Sequence, residues 1–250
     1  MTSVRIQNAS VKFPLYDSAS LRLIRLPSFR TAKVGTRNVS RTSTAAMIHA
    51  LSNINVDLSD GDRVCLIGHN GAGKTTLLRL IAGIYPPSTG RLEVSGKVIA
   101  QLGNSMSLNG DATGYENIKL VAELYGWPKV NLIDIIRDVE EFTELGEYLS
   151  LPTRVYSAGM GARLAFALAT MQSPDILLID EGIGVGDSQF QEKAELRVKN
   201  FMSMAKIIVL ASHAESLCRA ICNKALLMSN GRQEFFGDID EGFDRYVKLH

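Results

Sequence analysis

Gly68, Gly73, Lys74 and Thr75 have the types and the spacing of a loop that binds nucleotide phosphates. The loop reads Gly-His-Asn-Gly-Ala-Gly-Lys-Thr and lies between a short apolar run and leucines at helical spacing. Glycines let backbone N–H groups turn toward phosphate oxygens, and the helix that follows adds its positive end. Lys74 is expected to reach the β- and γ-phosphates, and the Thr75 hydroxyl to bind Mg²⁺. The predicted nucleotide contacts of the loop are Gly68, His69, Asn70, Gly71, Ala72, Gly73, Lys74, Thr75 and Thr76, with the His69 side chain in a variable position of the pattern.

Two carboxylates, Asp180 and Glu181, follow the continuous apolar run 176–179. Such a run predicts a buried strand, and ligands of α/β sheets gather at the carboxyl ends of the strands. Asp180 is predicted to hold Mg²⁺, mostly through water. Glu181 is predicted to orient or deprotonate the water that attacks the γ-phosphate. An acidic pair there is also typical of a solvated sheet edge or a helix cap, so this prediction depends on the phosphate-binding loop.

A second helix start, Tyr156-Ser-Ala-Gly-Met160, lies upstream of the acidic pair. The Ser157 hydroxyl and the backbone N–H groups behind it would form another anion site, although a plain helix cap uses the same residue type. With the phosphate-binding loop, this segment and the acidic pair in that order, the chain resembles the ABC transporter ATPases. The resemblance covers essentially the whole chain.

The resemblance implies how the site is completed. Two subunits of this family pair head to tail, so that ATP on the phosphate-binding loop of one subunit is covered by the signature segment of the other. Ser157 and Gly159 would therefore contact nucleotide across a homodimer. Residues 184–187 resemble the loop that signals between subunits, and His213 resembles the switch histidine that contacts the γ-phosphate. With Lys74 and Glu181, His213 completes the predicted catalytic set.

Two further contacts are implied less directly. In this family an aromatic residue near the end of the first strand stacks on adenine, and Phe13 is the best match. Tyr16 is the alternative, and Phe13 could instead belong to the core. Gln101 occupies the region of the family's glutamine loop and would contact nucleotide and Mg²⁺. Because the residues after it depart from the common pattern, Asn104 could equally supply that contact.

The predicted fold class is α/β: a P-loop NTPase of the ABC ATPase type, with an N-terminal β-subdomain, a RecA-like core and a helical subdomain. Residues 1–250 form a single ABC ATPase domain in this prediction, with the helical subdomain at about 104–170 and a basic insertion at about 18–48. Two short strands are expected around the Ser95-Gly96 turn. Helices are expected from the capping-box residue Thr113 to about 125, and from 161 to 171.

Composition sets outer limits on function. The 250 residues have a formal net charge of +1 and only three cysteines, which argues against a disulfide scaffold and gives no global case for nucleic-acid binding. No signal peptide or spanning segment is recognisable, so a cytoplasmic location is expected.

The basic insertion has no acidic residue and is interpreted either as a solvated loop or as a segment near anionic lipid. Its basic residues are Arg22, Arg25, Arg30, Lys33, Arg37 and Arg41.

Within the ABC family, the segments Thr113-Gly-Tyr-Glu-Asn117 and Glu141 to Tyr148 resemble the subfamily that exports O-antigen, capsule or teichoic acid polymers. Ala158 departs from the Ser or Gly usual at its position, a change between small residues. The resemblance implies an ATPase that drives export of a lipid-linked polysaccharide through a separate transmembrane permease, at the cytoplasmic face of the inner or plasma membrane. The carbohydrate-binding domain of some members is not expected.

Two alternatives stay open at this stage. One is the ATPase of a lipid or drug exporter, and the other is a soluble ABC ATPase that acts on nucleic acid. A GTPase is disfavoured because the base-reading Asn-Lys-x-Asp pattern is broken at Leu226.

Overall fold

The computed structural model describes residues 1–15, 31–34, 37–42, 45–102, 108–126, 131–180 and 190–249. They belong to two compact units. The sheet unit comprises the described residues of Met1–Leu102, Asp175–Gly182 and Lys206–His250. The helical unit comprises those of Gly103–Pro174 and Ile183–Ala205, and so overlaps the predicted helical subdomain at 104–170.

The strands in chain order are β1 (Ser3–Leu15), β2 (Thr31–Val34), β3 (Arg37–Thr42), β4 (Ala45–Ser59), β5 (Arg63–Ile67), β6 (Thr89–Ser95), β7 (Val98–Leu102), β8 (Ile176–Asp180), β9 (Ile207–Ala211), β10 (Lys224–Ser229) and β11 (Arg232–Asp238). The α-helices are α1 (Lys74–Ile81), α2 (Gly114–Leu124), α3 (Leu132–Thr143), α4 (Ala158–Ala169), α5 (Gln191–Met204), α6 (Glu215–Ile221) and α7 (Ile239–Leu249). Two 3₁₀ helices, Gly146–Ser150 and Thr153–Val155, lie between α3 and α4.

An antiparallel sheet of five strands has the order β2-β3-β4-β1-β6. Its inner strand β1 alternates buried Val4 and Ile6 with exposed Arg5 and Gln7, which is the period of a strand with one buried face. Ile6 pairs with a residue on each neighbouring strand, Val56 of β4 and Leu92 of β6. The buried face packs into the core that also holds the leucines of α1.

The second sheet has the order β11-β10-β5-β9-β8-β7, and only its β10–β11 pair is antiparallel. Its inner strands are continuous apolar runs because both faces are covered. The register places Leu66, Ala211, Asp180 and Leu102 in one row across β5, β9, β8 and β7. The chain therefore leaves all four strands at the same edge of the sheet.

The two short strands predicted around Ser95-Gly96 are present, and they belong to different sheets: β6 lies beside β1, and β7 lies beside β8. The Asp175 carboxylate, directly before β8, accepts a hydrogen bond from the Lys97 N–H (2.9 Å) and so holds the start of β7 beside β8. Within the basic insertion, residues 31–34 and 37–42 form antiparallel strands instead of a loop, whereas 16–30 lie outside the described residues.

The helix starts follow local chemistry. Thr113 and Glu116 form the predicted capping box, in which the Thr113 Oγ1 accepts from the Glu116 N–H (3.1 Å) and Glu116 accepts from the Thr113 N–H (2.8 Å). The apolar stretch predicted from 161 belongs to a helix that begins at Ala158, at the helix start predicted for residues 156–160. Ser157 caps this helix by accepting the Met160 N–H at 3.2 Å. In the described part of the chain, no helix is both long and apolar enough to cross a membrane.

The buried side chain of Asn117 holds the loop before α2 against that helix. Its Nδ2 donates to the carbonyls of Asn109 (3.1 Å), Ala112 (3.2 Å) and Thr113 (2.9 Å), and its Oδ1 accepts the Asn109 N–H at 2.8 Å. Asn117 is only 2% exposed, so water cannot replace these partners.

Replacing Asn117 with Ala should lower the free energy of unfolding by about 1–3 kcal/mol, because it leaves buried backbone groups without partners. Lys119→Ala, at an exposed position of the same helix, should change it by less than about 0.5 kcal/mol. Urea denaturation followed by circular dichroism measures both. Equal stabilities of the two variants would show that this network does not hold the helical unit together.

Candidate nucleotide-binding site

The phosphate-binding loop joins β5 to α1 through two glycines that no other residue can replace without strain. Gly68 has φ +150°, and a Cβ there would lie 2.3 Å from the Met228 backbone oxygen. Gly73, the residue before α1, has φ +111°, and a Cβ would lie 3.1 Å from Leu51 Cδ2 and 3.2 Å from the Ala50 oxygen. The loop is therefore pressed between β10 on one side and β4 on the other.

Hydrogen bonds fix the curvature of the loop. The Ala72 N–H donates to the His69 carbonyl (3.0 Å), and the Ala72 carbonyl accepts the Gly231 N–H (2.8 Å). The Lys74 ammonium donates to the Gly68 carbonyl at 2.5 Å and to the His69 carbonyl at 3.3 Å. Lys74 therefore lies folded over its own loop, where its charge is available to an anion bound there.

An open pocket of about 240 Å³ lies against this loop. Its lining brings together three segments that are far apart in sequence: the loop with the first turn of α1, the end of β8 and the residues after β9. The lining residues are Asn70, Gly71, Ala72, Gly73, Lys74, Thr75, Thr76, Asp180 and His213. The structure thus groups nine of the predicted site residues around one space.

The register of the parallel sheet explains this grouping. Asp180 pairs with Ala211, and Ala211 pairs with Leu66 two residues before the loop. The exposed His213 follows β9 by two residues, in a turn where the Ser212 Oγ accepts the Ala214 N–H at 3.1 Å. The carboxylate, the imidazole and the loop are therefore at the same sheet edge.

The oxygen donors in the pocket suit a hard divalent cation. The Thr75 hydroxyl and the Asp180 carboxylate both line it, and Mg²⁺ is typically held by one or two such protein groups together with phosphate oxygens and water. No group of three or more His, Cys, Asp or Glu side chains able to hold a metal ion occurs among the residues that the structure describes. The hydroxyl and the carboxylate are therefore a donor set that fits an Mg²⁺ ion bound together with a nucleotide.

Other predicted site residues do not line the pocket. Among the described residues, Gly68 and His69 lie in the loop below it, and Phe13 and Gln101 are not part of its lining. Gln101 is half-buried on β7, level with Ile179 of β8. Phe13 contacts the Tyr85 ring edge to face, with 5.0 Å between centroids and 73° between planes. Four predictions lie outside the described residues: Glu181, the loop 184–187, Tyr16 and Asn104.

The start of α4 carries Ser157 and Gly159, which are both exposed. A Cβ built on Gly159 would meet nothing nearer than the Ser157 Oγ at 4.0 Å, so the described part of this chain leaves room for a side chain. Glycine inside a helix lowers the stability of the helix by about 1 kcal/mol relative to alanine. Packing within the described residues therefore gives no reason for glycine at this position.

Sequence reasoning missed one supporting residue. Gly231 follows β10 and donates its N–H to the Ala72 carbonyl of the phosphate-binding loop (2.8 Å). Its signal was the Asn230-Gly231 pair, which is typical of a tight turn between two strands. The β10–β11 turn therefore supports the loop from below.

The three cysteines are all buried, and Cys65 contacts Cys218 and Cys222. Contacts with Cys218 and Cys222, and then burial, raise the pKa of the Cys65 thiol on β5. A neutral thiol is therefore expected at Cys65.

The fold and the pocket define a P-loop nucleotide-binding protein, and comparisons identify its family. Residues 51–184 match the family described as ABC transporter. This chain is 42% identical over 231 residues to the O-antigen export system ATP-binding protein RfbE of Yersinia enterocolitica, covering 92% of this chain and 96% of that protein. The chain belongs to the ABC transporter family, as one of its ATPases.

Two further relatives and two solved structures agree with this assignment. The chain is 39% identical to the ATP-binding protein BexA of Haemophilus influenzae, over 78% of this chain and 88% of that one. It is 34% identical to the teichoic acids export ATP-binding protein TagH of Bacillus cereus, over 98% of this chain but 42% of TagH.

The solved structure of an ATP-binding subunit of an ABC transporter superposes on this chain with a TM-score of 0.67 at 20% sequence identity. The match covers 98% of this chain and 93% of that one. A dimeric ATP-binding cassette bound to ADP and Pi superposes on this chain with a TM-score of 0.63 at 19% sequence identity. The match covers 94% of this chain and 98% of that one. The predicted fold class is confirmed.

Lys74→Ala should lower the affinity for ATP at least about 30-fold, because the charge that faces the phosphates is removed. Lys97→Ala removes an exposed lysine of the same unit and should leave the affinity unchanged. Isothermal titration with ATP and Mg²⁺ measures both variants. ATP binding by the Lys74 variant with wild-type affinity would contradict the assignment of this pocket.

Proposed function

We propose that this chain is the ATP-binding and ATP-hydrolysing subunit of an ABC exporter that moves a lipid-linked polysaccharide across the cytoplasmic membrane. The polymer would be of the O-antigen, capsule or teichoic acid type. The observation that carries the proposal is the pocket uniting Lys74, Thr75, Asp180 and His213 in a chain whose relatives are named for O-antigen and teichoic acid export.

The residues of the pocket have complementary tasks in phosphoryl transfer, which needs positioning and charge neutralisation more than covalent chemistry. The backbone N–H groups of the loop and Lys74 bind the phosphates. His213 contacts the γ-phosphate, and Glu181 orients or deprotonates the attacking water. Thr75 and Asp180 hold Mg²⁺, with Gln101 or Asn104 near it, and the ion supplies neutralisation of phosphate charge when bound.

A second copy of the chain completes each site. In a head-to-tail homodimer, the exposed start of α4 covers ATP bound to the other subunit. Ser157 keeps its hydroxyl proton available for a phosphate oxygen while its oxygen caps the helix. The room beside Gly159 supports this arrangement, since glycine permits close approach of another molecule.

A separate transmembrane permease is the second partner, and through it the chain is held at the cytoplasmic face of the membrane. The helical subdomain at about 104–170 docks the permease. Large apolar side chains are exposed on this unit, among them Leu124 at 79% and Ile133 at 70%. Such exposed groups are typical of contact surfaces. The basic insertion at about 18–48 lies near anionic lipid in this proposal, and no nucleic-acid partner is involved.

The proposed export is tested in a host whose only copy of the gene encodes Glu181→Gln. Surface polysaccharide should disappear and lipid-linked glycan should accumulate inside, since a general base typically contributes about 10²–10⁴-fold to the rate. Gel profiles with glycan staining measure the first quantity, and extraction of lipid-linked sugars measures the second. Lys97→Ala is the control. An unchanged surface profile with Glu181→Gln would contradict polysaccharide export and direct the search to lipid or drug substrates.

The composite site is tested by mixing two inactive subunits. Lys74→Ala removes the phosphate contact and Ser157→Arg blocks the covering surface, so each variant alone should hydrolyse no ATP. An equal mixture should recover up to about a quarter of the wild-type sites, because half of the dimers then contain one intact pair. Phosphate release from the mixture measures this recovery. A mixture as inactive as its components would contradict a site that the second subunit completes.

A further inference from the structure

Phe13 and Tyr85, here called the aromatic pair, form a contact that the assigned pocket does not use. The two side chains are half-buried, and their rings meet edge to face with a centroid separation of 5.0 Å. Both rings also pack against the hydrophobic core of the sheet unit, and each keeps part of its surface exposed.

The strand register places the aromatic pair near the phosphate-binding loop. Phe13 pairs with Ile48 on β4, and Ala50, two residues further along β4, lies against Gly73. A strand rises about 3.3 Å per residue, so Phe13 is roughly 7 Å along the sheet from the row that touches the loop. When the phosphates of a nucleotide lie on the loop, its ribose and base extend away from the loop over a distance of this order.

Hydrogen bonds to Arg79 of α1 hold Tyr85, and hydrogen bonds from the following segment to β1 hold the chain after it. The Tyr85 N–H donates to the Arg79 carbonyl at 3.2 Å, and its hydroxyl accepts from Arg79 Nη1 at 3.2 Å, while the guanidinium lies 5.8 Å from the ring centroid. Three residues later, Ser88 donates its N–H to the Ser10 carbonyl (2.7 Å) and accepts the Lys12 N–H on its Oγ (3.0 Å). The Tyr85 ring therefore has a fixed position between the end of α1 and β1.

We propose that Tyr85, anchored by Arg79, is a positioning residue that fixes the half-buried Phe13 ring so that its exposed part receives the base of the nucleotide. This inference rests on the proposed ATP site and on Phe13 as its base platform. Tyr85 itself would not touch the base. Its contribution is to prevent the Phe13 ring from rotating, so that less side-chain freedom is lost when the base binds.

The test compares a ligand with a base and a ligand without one. Isothermal titration with Mg²⁺ measures ATP and inorganic tripolyphosphate on wild type, Tyr85→Ala, Tyr85→Phe, Phe13→Ala and Lys74→Ala. Tyr85→Ala should weaken ATP binding by about two- to tenfold, the value of one aromatic contact. Its affinity for tripolyphosphate should equal that of wild type. Tyr85→Phe keeps the ring contact and should bind ATP better than Tyr85→Ala.

The outcomes separate this inference from the proposed function. Equal weakening of ATP and tripolyphosphate by Tyr85→Ala would overturn it, because Tyr85 would then act through the phosphate-binding loop or through stability. Unchanged ATP binding by Tyr85→Ala, with Phe13→Ala impaired for ATP alone, would overturn the positioning role and keep the platform. If Phe13→Ala also binds ATP normally, the platform itself is wrong. Normal binding of both ligands by Lys74→Ala would contradict the proposed site.

Discussion

The parallel pairing of β5, β9, β8 and β7 is the constraint on which the site depends. Leu66, Ala211, Asp180 and Leu102 occupy one row, so the chain segments that follow them emerge together. Side chains alternate along a strand, and a slip of one residue in β8 would turn Asp180 toward the opposite face. The strands β5, β9 and β8 are buried and apolar up to this edge, which makes their register strongly specified and limits their polar groups to the strand ends.

The phosphate-binding loop adds a second constraint, which is steric. Gly68 approaches the Met228 carbonyl too closely for any side chain, and Gly73 lies against Ala50 and Leu51 of the antiparallel sheet. The loop is consequently shaped by both sheets before any ligand binds. Such pre-organisation reduces the cost of ordering the binding groups when phosphate arrives. The Gly231 N–H, donated from the β10–β11 turn, completes this support.

Local motifs were predictable from sequence, and non-local pairings were much less so. The loop 68–75 and the caps at Thr113 and Ser157 were found because their chemistry lies within a few adjacent residues. The split of β6 and β7 between two sheets was not predictable, since a Ser-Gly turn has the same sequence whether or not the flanking strands pair. The split depends on the hydrogen bond from Lys97 to Asp175, which is far away in sequence. The strands of the basic insertion were missed because polar, Arg-rich segments lack the alternation that marks a half-buried strand.

The site shows the same division. Loop chemistry identified Lys74 and Thr75 from their immediate neighbours, whereas Asp180 and His213 became a site only when the register placed them beside the loop. The contact of Phe13 with Tyr85 could not be read from sequence, because nothing local relates two aromatic residues so far apart. The roles of Glu181, Gln101 and Ser157 stay predictions that rest on resemblance to the family.

The central proposal is that the sheet edge assembles one nucleotide site in which Thr75, in the first turn of α1, and Asp180, at the end of β8, hold the same Mg²⁺. A double-mutant cycle on Thr75→Ala and Asp180→Asn tests it most directly. The measured quantity is the Mg²⁺ concentration that gives half-maximal ATP binding. The account predicts that each variant raises this concentration and that the double variant is little worse than the poorer single one, because the two groups share one ion. Independent effects that simply multiply would contradict a shared site.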